Sequence, residues 1–153
     1  MKVDPQRWAL LADPESYGWS ELIRDKKAVW DGIKNSRAQA NLQKAKVGDV
    51  AVIYHTAPDK AIMGTARVAR AAYPDPNAPE RVVIDIEPIV ALKSPLPMAE
   101  LRADAVLAEM GFVKMPRVAV QPVTPQQWER VMALSETDLG ASLGQAAADA
   151  GGP

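Results

Sequence analysis

Apolar positions along this chain recur with two periods, and most of them alternate. Residues 7–12 (RWALLA) are apolar almost throughout and close on Asp13-Pro14, which predicts a buried strand followed by a turn. Ser36 ahead of RAQANLQKA predicts an N-capped helix carrying Ala38, Leu42 and Ala45 on one stripe. After the turn Val47-Gly48-Asp49, the run VAVIYHT predicts a second buried strand. In AIMGTARVARAAY, Ile62, Gly64, Ala66 and Val68 alternate with other residues as in a half-buried strand. Gly64 within it predicts a bulge or a close backbone approach. RVVIDIEPIVAL places Val82, Ile84 and Ile86 on one face, with a bend or edge at Pro88. PLPMAELRAD predicts a short helix with Pro97 in its first turn, and residues 118–123 (VAVQPV) a further strand. Thr124, Pro125 and Gln127 then form a capping box for a helix with Trp128, Val131 and Met132 on one stripe. Several short strands with peripheral helices argue an α+β domain whose sheet curls into a barrel.

The length of 153 residues suits one domain, placed at residues 3–134. Residues 135–153 are rich in Ala and Gly and lack aromatic residues, Lys and Arg; they read as a disordered acidic tail. The absence of cysteine excludes disulfides and thiol chemistry, and a single histidine excludes a multi-histidine metal centre. No apolar run suggests a membrane span or a secretory leader, so the expectation is a cytoplasmic protein without membrane, metal or cofactor. Eighteen Lys and Arg stand against nineteen Asp and Glu. A net charge of −1 gives no general field for polyanions, so any nucleic acid must be held by a local patch and a pocket.

Templates for catalysis are missing: there is no G-x-S-x-G, Walker loop, G-x-G-x-x-G or H-E-x-x-H. Asp85 and Glu87 share a strand face at i, i+2, where a solvated pair is the expectation over an acid–base pair. His55 ends an apolar strand without any motif naming a partner. The segment 24–46 is more informative, because seven Lys or Arg surround two Asp, with Trp30 in the middle and the amide Asn35 nearby. An aromatic plane can stack a base while amides read its edge and cations hold phosphates. A solvated basic helix beside a core tryptophan fits the same spacing equally well.

Several ordered blocks decide between these readings. WDGIKNSRAQANL (30–42), KVGD (46–49) and VIYH (52–55) resemble the signature of the EVE domain. WALLADPESYGWSEL (8–22), MGTARVARAAYPDP (63–76) and PRVAVQPVTPQQW (116–128) extend the resemblance over about residues 7–134. It implies a PUA-like fold, a twisted β-barrel with short flanking helices, and kinship with the YTH and SRA modules that hold a modified base in an aromatic-lined pocket. By that resemblance Trp30 is a cage wall, Asn35 contacts the base edge, and Tyr54 and His55 stand at the rim. Tyr17 and Trp19 are weaker pocket candidates, and Lys34, Arg37 and Arg117 are candidate phosphate contacts. Two departures bear on the site: Leu11-Ala12-Asp13-Pro14 replaces the family's Lys-Ser-Glu-Pro, and Ser36 replaces an aromatic.

The resemblance therefore implies a non-enzymatic reader of a modified nucleobase in DNA or RNA, such as 5-methylcytosine, in a single strand or flipped from a duplex. Two other readings stay open at this point. One is a small nucleotide- or RNA-directed enzyme using His55 with Asp85 or Glu87. The other is an adaptor with a vestigial pocket, whose acidic tail meets a protein partner.

Overall fold

The computed structural model describes residues 5–137. Strand β1 (Arg7–Ala12) leads through a turn to α1 (Trp19–Asp25) and the short β2 (Ala28–Trp30). Then come α2 (Ser36–Lys44), β3 (Val50–His55) and two long strands, β4 (Ala61–Asp75) and β5 (Ala78–Pro97). The chain closes with α3 (Met98–Ala103), a 3-10 turn (Leu107–Glu109), α4 (Gly111–Lys114), β6 (Val120–Val123) and α5 (Pro125–Leu134).

All six strands form one sheet in the order β2-β5-β4-β3-β1-β6. β1 sits between a parallel partner, β3, and an antiparallel one, β6. Both sheet faces are covered. Trp8, Leu10 and Ala12 join one core with Ile53, Ile84 and Ile86, while Ala9, Leu11, Val52 and Tyr54 join a second with Phe112 and Trp128. Strands buried on both sides have no polar face, which is why β1 and β3 read as continuous apolar runs.

The sheet is α+β as expected but stays open, which corrects the expected barrel. Its edges, β2 and β6, do not pair with one another. They contribute three and four residues, and Pro122 in β6 has no N–H to donate, so neither edge carries a ladder long enough to close the sheet. Curvature is concentrated instead between β4 and β5, where the register shifts five times, one shift falling between Ile62 and Gly64.

Several local expectations hold and others shift. The Thr124–Gln127 box is present, with Gln127 N–H donating to Thr124 Oγ1 at 3.1 Å and Thr124 N–H to Gln127 Oε1 at 3.0 Å. α2 is capped by Asn35 rather than Ser36: Asn35 Oδ1 accepts from Ala38 N–H at 3.0 Å, and Ser36 is the first helical residue. Pro97 is the N-cap of α3 and lies just outside it. Asp49 is no exposed turn residue. It is buried and accepts from Gln6 N–H, Gln6 Nε2, Trp8 Nε1 and Lys46 N–H, all within 3.0 Å. Packing also continues past the expected boundary at 134: Ser135 is fully buried, and Thr137 Oγ1 accepts from Lys93 N–H at 2.9 Å. The remainder of the expected tail, 138–153, lies outside the described residues.

Candidate functional site

A cavity of about 690 Å³ opens where the end of β1, the following turn, α1 and β2 converge. Its aromatic wall has two members. Trp30, the last residue of β2, is 7% exposed, and Tyr17 approaches it edge-on with ring centroids 6.5 Å apart at 81°. Edge-to-face contact places the positive rim of one ring against the negative face of the other and fixes their mutual angle. Trp30 Nε1–H is buried and has no acceptor among the described residues. Leaving such a donor unpaired costs about 1–3 kcal/mol.

The polar lining is acidic: Asp13, Asp25 and Asp31 outnumber Lys27. Tyr17 donates its hydroxyl to Asp25 Oδ2 at 2.8 Å, and Arg24 forks onto the same carboxylate, Nε to Oδ1 at 2.8 Å and Nη2 to Oδ2 at 3.1 Å. Burial and that bond to Asp25 push the Tyr17 phenol up to about 12. Hydrogen bonds from Arg24 and then Tyr17 hold the Asp25 carboxyl below its usual range, so Asp25 is an acceptor at neutral pH.

Other residues singled out in the sequence lie elsewhere. Trp19, the first residue of α1, packs into the core against Gly64 and does not line the cavity. His55 is buried below it: Trp19 N–H donates to His55 Nε2 at 2.9 Å, and His55 Nδ1 bonds Asp59 Oδ2 at 2.8 Å. A ring that makes both bonds carries its proton on Nδ1. His55 therefore caps α1 from a distant strand, and Gly18 occupies the cap position because a Cβ there would meet the imidazole at 3.0 Å. Asn35 spends its carbonyl on the α2 cap and lies outside the cavity lining. Tyr54 packs on the other sheet face against Phe112, with centroids 4.8 Å apart.

The acid–base assembly does not come together. Both His55 nitrogens are engaged, and neither partner is Asp85 or Glu87. Asp85 is not solvated as expected: it is 5% exposed, receives the Tyr73 hydroxyl and lies 3.7 Å from Lys27 Nζ. Glu87 pairs with Arg67 at the surface. Lys34, Arg37 and Arg117 are all exposed. Arg37 Nη1 reaches Met115 Sδ at 3.6 Å, which brings the start of α2 beside the loop carrying Arg117.

Residues missed from the sequence are Asp25 and Lys27, which looked like surface charges of a basic segment, and Ile33 and Gly32, which complete the wall after Trp30. Of the two departures, Ala12 lines the cavity, whereas Ser36 does not.

The EVE domain model matches residues 6–134. The chain belongs to the EVE domain family. Human thymocyte nuclear protein 1 is 25% identical over 167 residues, spanning 86% of this chain and 74% of that protein. A crystal structure of the human THYN1 protein in complex with DNA containing 5-methylcytosine superposes with a TM-score of 0.79 at 22% identity, covering 87% of this chain and 99% of that one. A Rhodopseudomonas palustris protein solved by NMR reaches 0.82 at 31% identity, covering 86% and 93%. The YTH domain of Zygosaccharomyces rouxii MRB1, solved with N6-methyladenosine RNA, shares the EVE-like fold at a TM-score of 0.56 with 9% identity, covering 86% of each chain. The likeness to the YTH domain is thus one of backbone fold.

Proposed function

We propose that this protein is a non-enzymatic reader of a methylated nucleobase in DNA or RNA, and that the base enters the cavity that Trp30 and Tyr17 line. The observation that carries the reading is the Trp30 wall: a buried indole with an unpaired N–H, lining a cavity large enough for a base. The acidic lining refines it. A carboxylate accepts from an exocyclic amine, so Asp25 favours cytosine or adenine over bases that present only carbonyls there. Phosphate is repelled from these carboxylates and is held outside by Lys34, Arg37 and Arg117. A methyl group on the base adds apolar contact worth about 0.8 kcal/mol for a CH₂-sized increment, giving preference rather than absolute selection.

The human relative's complex with 5-methylcytosine DNA makes that base the first to test. The engaged nitrogens of His55 favour a binding role over acid–base chemistry. Fluorescence titration with single-stranded oligonucleotides carrying 5-methylcytosine, N6-methyladenine or no modification tests the reading. A folded Trp30→Ala variant is expected to lose about five- to 150-fold in affinity, since stacking contributes about 1–3 kcal/mol per base. Equal affinity of wild type and variant removes Trp30 from the site.

A further inference from the structure

A second cavity, of about 580 Å³, lies on the other face of the sheet and belongs to no part of the site above. Its floor is Tyr54, 3% exposed, whose hydroxyl makes no hydrogen bond among the described residues. Pro58, Pro97 and Met98 give it apolar walls, and Lys60 and Arg102 stand exposed at its margin. Arg102 lies close enough to Tyr54 that its charge offsets part of the upward push of burial on the phenol. Asp59, bonded to His55, is the one carboxylate in the lining, so the charges at the rim are two cations against one anion.

The two cavities share one end of the sheet. Leu11 and Ala12 line the first; Tyr54 and Thr56 line the second. Leu11 is the register partner of Tyr54, and Ala12 of His55, in the parallel β1–β3 pair. The two lips are thus about one strand spacing apart, roughly 4.8 Å. Thr56 N–H bonds Ala12 O at 2.9 Å across the divide. The loop before β6 bridges the same divide, with Pro116 in the second cavity, Ala119 in the first, and the exposed Arg117 between them. A nucleic-acid strand advances at least about 3.4 Å per nucleotide, so adjoining nucleotides span this separation.

We propose that the second cavity is a subsite for the nucleotide flanking the modified one, with its base on Tyr54 and its phosphate between Arg102, Lys60 and Arg117. The inference rests on the Trp30 pocket holding a base. It makes the protein a reader of sequence context as well as modification. A hydroxyl that the fold leaves unbonded in the pocket discriminates among bases by the hydrogen bond it makes with one and not with another.

The test compares two probes, the free 5-methylcytidine nucleoside and an eight-nucleotide single strand with 5-methylcytosine at its centre. Tyr54→Phe keeps the packing against Phe112 and removes only the hydroxyl; Arg102→Ala changes an exposed side chain. Each is expected to weaken the oligonucleotide about five- to tenfold and leave the nucleoside unchanged, whereas Trp30→Ala weakens both. Exchanging the flanking base is expected to change wild-type affinity and to matter less in Tyr54→Phe. An oligonucleotide that depends on Trp30 but is indifferent to both second-cavity variants overturns the subsite and leaves the base pocket standing. Nucleoside and oligonucleotide losses of equal size also overturn it. Failure of both probes to bind wild-type protein removes both proposals.

Discussion

The ring of Trp19 occupies the space that a side chain at Gly64 would fill: a Cβ built on Gly64 would come 2.4 Å from Trp19 Cη2 and Cζ2. The glycine and the indole form a fitted pair that seats α1 against β4, and α1 in turn carries Asp25 to the Trp30 cavity. Gly64→Ala forces a buried ring away from its seat. Overpacking of this kind costs about 1–3 kcal/mol. At roughly 2–4 °C per kcal/mol for a chain of this size, the thermal midpoint is expected to fall by several degrees. Trp19→Leu added to Gly64→Ala is expected to recover part of the loss; a double variant less stable than the sum of the singles contradicts the steric account.

Asp49 ties the start of the chain to the α2–β3 turn through four hydrogen bonds, three of them to one carboxylate oxygen. Asp49→Asn keeps the shape but can turn an NH₂ toward three donors. With about 1–3 kcal/mol for each buried group left unpaired, a loss of about 3 kcal/mol is expected. Urea unfolding reads it directly, and a change below about 0.5 kcal/mol in the extrapolated stability shows that the cluster is not acting as a unit.

All three tyrosines ionise late. Burial and the bond to Asp25 raise Tyr17 to about 12, burial raises Tyr54, and the bond to Asp85 with burial raises Tyr73. Native-state absorbance at 295 nm is therefore expected to show little phenolate at pH 10, and Tyr17→Phe to remove the component near 12. The sign for stability follows. A phenol whose folded pKa lies above its unfolded value stabilises the fold in full below about 10, and loses that contribution as pH rises toward the folded value. An ordinary tyrosine titration in folded protein refutes the Tyr17–Asp25 bond.

Lys34, Arg37 and Arg117 act on phosphates without reading bases in the proposed complex. Replacing one by Ala is expected to weaken modified and unmodified oligonucleotides alike. It is also expected to reduce the slope of log K against log salt by about 0.7 for a single strand. A variant that changes base preference but not the salt slope places that residue inside a base site instead.

The strands other than β2, the Thr124 box and the Gly64 approach were legible because alternation, capping chemistry and a missing side chain are local signals. The family was legible from blocks spread over most of the domain. The roles of Trp19, His55 and Asn35 were not. Trp19 and His55 sit in or beside motifs, but where their side chains go is set by neighbours far along the chain, Gly64 for Trp19 and Trp19 N–H for His55, while Asn35 turns to its own helix as a cap. Asp85 looked solvated because its strand alternates, yet Tyr73 and Lys27 cover it from other segments. Barrel closure was misread because it depends on whether β2 and β6 meet, and alternation within a strand carries no information about that.

β1 lies between β3, some forty residues on, and β6, which is paired only through residues 120–123. During synthesis an early strand must wait, apolar on both faces, until nearly all of the domain has emerged. Contacts of such long sequence separation are slow to form and leave sticky intermediates exposed meanwhile. Chains arrested before residue 120 are therefore the forms in which β1 has an open neighbour position, and the forms that most need shielding from one another.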